Sequence, residues 1–575
     1  MKKVISLGII ISILFCLFGC ANKPTVNYDD SEFKELIDKW FVEDLSNDYT
    51  STHFSLVNPE KYGIKNVEIG FGDIETDVDL FQQRLQQLEK IDTSVLSEEF
   101  YITYLSLKDY YSLMVEMDTI EEDYSFLFSP NNGTNNNLVT ILTEFEIRNE
   151  QDCKDFVAYI EDGVRYIDDC IDYTLKQSES GIIQTNEVIY KIIDSCQRFV
   201  SHVEDNEVIK AFNKQVDQMG YDSSYKKIVS EAVIDKLIPA YNRVIQMYQS
   251  LLSKATNNDG LYYYENGQEY YELLFKYYSG SNLSVEKWES NLEKEINKLV
   301  SKIVSTEKSL NSSEQQEYYY PSYGFDKPED DIEYMKEKMA NDFPEYYQAS
   351  YTISFLDETV ASENISAYYL LSPLDNLSNN VIKSNKSYGL NDPNGLAITL
   401  AHEGYPGHLY QHTYYFSNYP QQMIRNNIDF IAYSEGWAMY VEEYAYDYYI
   451  SNEKINILNK YYNRFNYYLY AYCDILVNYQ GYQLDDLTNY LSDFFAQEYA
   501  QILAQDIYYT VIGDPCLFVP YALGLYQMLQ LQSDASSQLA SKYSNKEFNK
   551  VILDCGSTSF DILKQQVDKY IQENK

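Results

Sequence analysis

The chain has 575 residues, with 88 acidic against 44 basic side chains and a formal net charge of -44. So large an acidic excess excludes nucleic acid as a partner, because phosphate binding depends on lysine and arginine. It also keeps the surface off anionic lipid head groups. The 61 tyrosines outnumber the 26 phenylalanines and 3 tryptophans together; a tyrosine is half apolar, so packing with a wet hydroxyl is the expected use of most of them.

Residues 1–19 have the pattern of an export signal. Lys2 and Lys3 precede an apolar stretch from Val4 to Phe18, and Leu17-Phe18-Gly19-Cys20 resembles a bacterial lipobox. In a lipobox, cleavage leaves the cysteine as a lipidated N-terminus. The apolar run is short for a spanning helix. The expectation is therefore an extracytoplasmic protein held to a bacterial membrane by acyl chains of the palmitate type on Cys20, with residues 20–30 as lipidated cysteine and tether. Two helical lobes are expected to follow, an N-terminal one over 31–310 and a catalytic one over 311–575. The other six cysteines, Cys153, Cys170, Cys196, Cys473, Cys516 and Cys555, allow 15 disulfide pairings. None has a Cys-x-x-Cys spacing, so no cysteine-ligated metal is expected.

Along the chain, Phe81, Leu85 and Leu88 recur at helical intervals, as do Ile234, Leu237, Tyr241, Val244 and Met247. Residues 129–137, rich in Asn, predict a polar loop, and Asn257-Asn258-Asp259-Gly260 a second break. Asp326-Lys327-Pro328-Glu329 predicts a helix start with a capping box, with Met335 and Met339 on the face that follows. The strand-like region is short: residues 367–373 and 380–385 flank a polar turn, which predicts a small β-hairpin in an otherwise helical protein. An edge strand there could hold an extended peptide by main-chain hydrogen bonds, or serve only as structure. Asp392-Pro393 opens the helix that runs into His402. The pattern is thus mostly α, with a small hairpin or sheet beside the helix that carries His402.

Three of the five histidines lie in His402-Glu403-Gly404-Tyr405-Pro406-Gly407-His408-Leu409-Tyr410-Gln411-His412. Imidazole nitrogen and carboxylate oxygen are what zinc prefers at a hydrolytic centre, and a carboxylate beside it can take a proton from water. In His-Glu-x-x-His the ligands are four residues apart on one helical face. Here His402 and His408 are six apart, which on a regular helix leaves them roughly 120° from each other. Pro406 and Gly407 supply the remedy, since both tolerate or force a departure from the helix. The expectation is a bulge of two extra residues that returns His408 to the face of His402. A third ligand is needed, and Glu435 is the best candidate, with Glu442 two turns further on the same face. One of these carboxylates would bind metal while the other orients a histidine. His412, four residues after His408, satisfies the simple helical rule with it, but pairing those two leaves Glu403 on the wrong turn for a base. His412 is therefore assigned to the rim of the site.

The segments His402-Glu403-Gly404-Tyr405-Pro406-Gly407-His408 with Gln411, and Glu435-Gly436-Trp437-Ala438 with Tyr440 and Glu442, resemble the bacterial family called domain of unknown function 885. Gly267 to Tyr271 and Asn282-Leu283-Ser284 fit its pattern too. The resemblance implies a lipoprotein of zinc metallopeptidase type, whose fold class is mostly α: a large bilobed helical body with a deep cleft and a small sheet beside the catalytic helix, similar to the gluzincin carboxypeptidases and oligopeptidases. It implies one zinc ion on His402, His408 and Glu435, with Glu403 as general base. Gly513-Asp514-Pro515 through Pro520-Tyr521-Ala522-Leu523-Gly524 resembles a further family segment, in which Tyr521 matches a tyrosine suited to donate to an oxyanion. Leu517 and Ala522 depart from that pattern. The function expected is a lipid-anchored zinc hydrolase cleaving short peptides, with a zinc amidase or deacylase, or a non-catalytic metal- or peptide-binding lipoprotein, as alternatives. A carboxypeptidase would also need a cation, and Arg425 and Arg464 are the arginines of the catalytic half, either of which equally fits a structural ion pair.

Overall fold

The computed structural model describes residues 28–74, 77–120, 124–255, 259–356, 367–385 and 392–575. The expected export signal, Cys20 and most of the tether lie outside these, as do Asn257 and Asn258. The described chain is mostly helical with one small sheet. Eleven of the helices are α1 (Ser31–Asn47), α2 (Glu98–Met117), α3 (Glu150–Glu179), α4 (Gly267–Ser279), α5 (Val285–Ser309), α6 (Pro328–Lys338), α7 (Pro393–Glu403), α8 (His408–Asn418), α9 (Ile431–Tyr449), α10 (Glu453–Asn478) and α11 (Val519–Leu539).

Local chemistry sets the ends of these helices. Asn149 and Asp152 exchange side-chain bonds with each other's backbone N–H and close a capping box at the start of α3. Apolar residues then recur three and four apart, and Cys153, Phe156, Ile160, Ile167 and Cys170 are all buried. Ser284 caps α5 by accepting from Lys287 N, and Asp392 caps α7 by accepting from Gly395 N at 2.9 Å. At α6 the cap residue is Lys327, with no side-chain cap bond, so the expected capping box is absent. Its proline instead fits the first turn, where the missing N–H costs nothing, and Met335 and Met339 are buried as expected. The expected loop at 129–137 is also shorter than its composition suggests, because a helix begins at Thr134.

Two large apolar cores result. One joins α3 and α5 to α10 and the first residues of α11; the other joins α1 and α2 to α7, α8, α9 and the rest of α11. Each core draws on both halves of the chain, so both cross residue 310. All six described cysteines are buried free thiols. No helix of the described residues is long and apolar enough to cross a membrane.

The sheet has strands β1 (Ser350–Phe355), β2 (Ala367–Leu370) and β3 (Asn379–Ser384) in the order β1-β3-β2. β2 and β3 form the expected hairpin, antiparallel from Ala367 opposite Ser384 to Leu370 opposite Val381. β1 was not foreseen; it runs parallel to β3, from Ser350 beside Asn379 to Phe355 beside Ser384. β1 buries no residue fully, so it lacks the clean alternation that makes a strand legible. β3 alternates, with Asn380, Ile382 and Ser384 buried, and β2 is left as an edge strand beside α7.

Candidate metal centre

α7 carries His402 and Glu403 in its last turn. It stops because Gly404 leaves the helical region at φ -107° and ψ -102°, and because Pro406 has no N–H to continue the ladder. Gly407 then folds so closely over the end of α7 that a Cβ on it would lie 1.7 Å from the carbonyl oxygen of His402 and 2.4 Å from that of Ala401. α8 starts afresh at His408, with Tyr410 N donating to Gly404 O at 3.1 Å and Gln411 N to Gly407 O at 2.9 Å. Trp437 Nε1 on α9 donates to Pro406 O at 2.9 Å and pins the turn. The expected bulge within one helix is therefore corrected to a break between two helices. The purpose is the same: six residues on one helix would aim the imidazoles apart, whereas the break sets their ring centres 4.9 Å apart.

α9 supplies the carboxylates. His402, His408 and Glu435 each offer a ligand atom, all within 4.8 Å of one another. Glu435 Oε2 lies 3.4 Å from His402 Nε2 and 3.6 Å from His408 Nε2. Two turns along α9, Glu442 Oε1 accepts from His402 Nδ1 at 2.9 Å, while its Oε2 accepts from Asn463 Nδ2 of α10 at 2.9 Å. One helix thus addresses both nitrogens of one imidazole. The bond to Nδ1 fixes the tautomer and leaves the Nε2 lone pair facing Glu435 and His408.

The donor set fits zinc. Bonds of about 2.0–2.1 Å at tetrahedral angles put ligand atoms roughly 3.3–3.4 Å apart, close to the two separations just given. Glu435 Oε2 is also buried with no hydrogen bond of good geometry, its imidazole neighbours standing at the long distances just given, a position that costs free energy unless a cation or a better-placed donor fills it. The electrostatics agree. Burial pushes the Glu435 carboxyl up, but the charge of His408 and the contacts with both histidines hold it well below the usual carboxylate range. Burial likewise pulls His402 down, and Glu435 and Glu442 outweigh it and raise it well above an ordinary histidine, a negative potential that favours a cation on Nε2, a proton or a metal ion in its place.

Glu403 is buried, and its Oε2 accepts from Tyr369 N of β2 at 2.8 Å. Tyr521, half-buried at the start of α11, stacks on Tyr467 with ring centres 5.9 Å apart. The charge of Glu435, then burial, Tyr467, Glu403 and a hydrogen bond to Glu435, raise its pKa well above the usual tyrosine value, so the hydroxyl keeps its proton. The helices that carry Glu435 and Tyr521 cross closely: a Cβ on Gly436 of α9 would lie 2.5 Å from the Cα of Gly524 of α11.

His412 does not join the cluster. Its Nε2 meets the carbonyl oxygen of Ser372 at 2.9 Å and its ring lies against Tyr369; burial lowers its pKa to about 4, so it is a neutral donor. Neither arginine is free for substrate. Arg464 forks onto Glu443 at 2.7 and 2.6 Å, and Arg425 is buried against Thr103 and the carbonyls of Cys555 and Ser557. Sequence reasoning missed the Tyr369 N–H, Asn463 and the glycine crossing. The hairpin was a signal for Tyr369, whereas nothing local links Asn463 to Glu442, 21 residues earlier on another helix.

Residues 72–567 match a family described as bacterial protein of unknown function (DUF885). No curated protein matches the chain. Among solved structures, "the putative lipoprotein from Colwellia psychrerythraea" is similar at 16% identity and a TM-score of 0.76, over 94% of this chain and 99% of that one. "A putative lipoprotein of unknown function from Shewanella oneidensis" is similar at 16% identity and a TM-score of 0.60, over 92% and 99%. At that identity the likeness establishes a shared fold. With the family match spanning most of its length, the chain belongs to the DUF885 family of bacterial proteins of unknown function.

Proposed function

We propose that this protein is a zinc-dependent hydrolase acting on short peptides, anchored outside the cytoplasm through a lipid on Cys20. The observation that carries the reading is Glu435 Oε2, buried with no hydrogen bond of good geometry and facing the Nε2 atoms of His402 and His408, with Glu403 next to His402 in the chain. Glu403 also holds the Tyr369 N–H of β2, and a carboxylate next to a ligand that can take a proton from water is what a hydrolase requires.

His402, His408 and Glu435 would hold the ion. A zinc ion bound there supplies a Lewis acid for the scissile carbonyl and lowers the pKa of water at neutral pH. Glu403, aimed by the Tyr369 N–H, accepts the proton of the attacking water and returns it to the leaving nitrogen. The Tyr521 hydroxyl, kept protonated, donates to the oxygen on which negative charge develops. Glu442 and Asn463 keep His402 in the tautomer that offers Nε2.

The edge strand supports a peptide over another amide. On an antiparallel strand the N–H and C=O of one residue point to the same side. Tyr369 gives its N–H to Glu403, so its carbonyl lies on that same outer edge, as an acceptor for the N–H of an extended chain. The anchor is supported by the run ending in Leu17-Phe18-Gly19-Cys20 and by similar structures described as lipoproteins. Metal analysis of the purified protein combined with a peptide-library digest read by mass spectrometry tests the reading. One zinc per chain and discrete cleavage products are expected; a metal-free protein or an untouched library would contradict it.

A further inference from the structure

Asp429 is a charged group beside the centre that the reaction above leaves without a task. It sits between the turn at Met423–Asn427 and the start of α9, six residues before Glu435. A carboxylate before a helix is ordinarily explained as a cap or as a partner of the helix dipole. Asp429 does not cap. The cap position is Phe430 with no side-chain cap bond, and Asp429 Oδ1 accepts from the Ser434 hydroxyl at 3.2 Å instead. Among the described residues no lysine or arginine pairs with it.

The side chain is open to water, whereas the protein mass around it is that of an interior; both hold for a group on the wall of a concave site. Burial, the first cause, and the charge of Glu435 push its carboxyl up to about 6 against the opposing Ser434 bond and His408. The charge of Asp429 itself acts on the hydroxyl of Tyr110 of α2, after burial, and on that of Tyr277 of α4, after burial and Tyr110. Tyr110 is set against Phe430, ring centres 6.0 Å apart. A carboxylate without a cation, near tyrosine rings, is suited to an alkylammonium group, which gains from the charge and from the ring faces.

We infer that Asp429 is a specificity residue that binds a cationic nitrogen of the substrate, an α-ammonium or a lysine side chain, next to the metal centre. The inference rests on the peptidase reading and narrows its substrates to short peptides carrying such a group close to the scissile bond. The test uses the full protein and its Asp429→Asn variant, which keeps shape and the Ser434 bond, on one peptide in three forms: free amine, N-acetylated, and N-acetylated with lysine beside the cleavage point. Zinc content and Tm confirm that the variant is folded. In the wild type, kcat/KM for one of the two cationic forms over the acetylated neutral form is expected to be about tenfold or more. In Asp429→Asn that ratio collapses toward one, mainly through KM. Which cationic form is preferred identifies the source of the nitrogen. Equal ratios in wild type and variant would overturn the role of Asp429 while leaving peptide hydrolysis standing. A zinc-loaded wild type that cleaves none of the three forms, nor any member of a peptide library, would overturn the peptidase reading and this anchor with it.

Discussion

Glu442 offers a graded test of how the centre is held. Its two oxygens meet two donors, His402 Nδ1 and Asn463 Nδ2, both at 2.9 Å. Glu442→Ala removes both acceptors, leaving a buried imidazole N–H without a partner and the ring free to change tautomer. Loss of such an outer partner lowers metal affinity about 10- to 100-fold, or about 1.4–2.7 kcal/mol. Because the bond is to a charged acceptor in a largely buried place, the upper end is expected for Ala. Glu442→Gln keeps an acceptor for Nδ1, and Asn463 can turn its amide to offer Oδ1 to the new NH2. Only the charge is then lost, and a charged hydrogen bond is roughly twice as strong as a neutral one, so about tenfold is expected for Gln. Zinc competition against a chromophoric chelator, with Tm as a folding control, reads the series. Alanine and glutamine variants that both hold zinc as tightly as the wild type would refute the claim that Glu442 sets the tautomer of His402.

Gly436→Ala places a Cβ 2.5 Å from Gly524 Cα and 2.6 Å from its carbonyl carbon; backbone cannot yield as a side chain can, so about 1–3 kcal/mol of destabilisation is expected, together with weaker zinc binding as Glu435 moves. An unchanged Tm would contradict the close crossing of α9 and α11. Tyr521→Phe is expected to lower kcat on the order of 10²-fold with zinc content and KM little changed; an unchanged kcat would reduce Tyr521 to packing. Asp474 is buried, accepting from Tyr271, Asn478 and the Cys516 N–H, and burial nevertheless pushes its carboxyl up to about 7. With a folded pKa above the unfolded one, the folded state holds the extra proton, so the stability this group contributes is full below about pH 4 and is lost as pH rises through 7. Denaturant titrations from pH 4 to 8 should therefore show a smaller pH-dependent loss in Asp474→Asn than in the wild type, and parallel curves would contradict the assignment.

Much of the fold was legible because its signals are local. Helical spacing marked Phe81 to Leu88 and Ile234 to Met247, and alternation with a polar turn marked the β2–β3 hairpin. β1 was not legible, since its pairing with β3 is parallel and its burial pattern mixed. At the centre, the ligand residue types and the need for a break between His402 and His408 followed from helix geometry. The form of the break depended on where Gly407 sits over the His402 carbonyl and on Trp437 pinning Pro406, contacts made by tertiary packing. Asn463 was hidden for the same reason. Asp326 shows the opposite failure, a local capping signal that the helix does not use, since its cap position falls one residue later at Lys327.

The central claim is that Glu403 moves the proton in a reaction at the His402, His408 and Glu435 cluster. Glu403→Gln tests it most directly, because the amide still accepts from the Tyr369 N–H but no longer takes a proton at neutral pH. The account predicts zinc content equal to that of the wild type with peptide cleavage reduced at least on the order of 10²-fold. Cleavage at the wild-type rate in a zinc-loaded Glu403→Gln protein would contradict it.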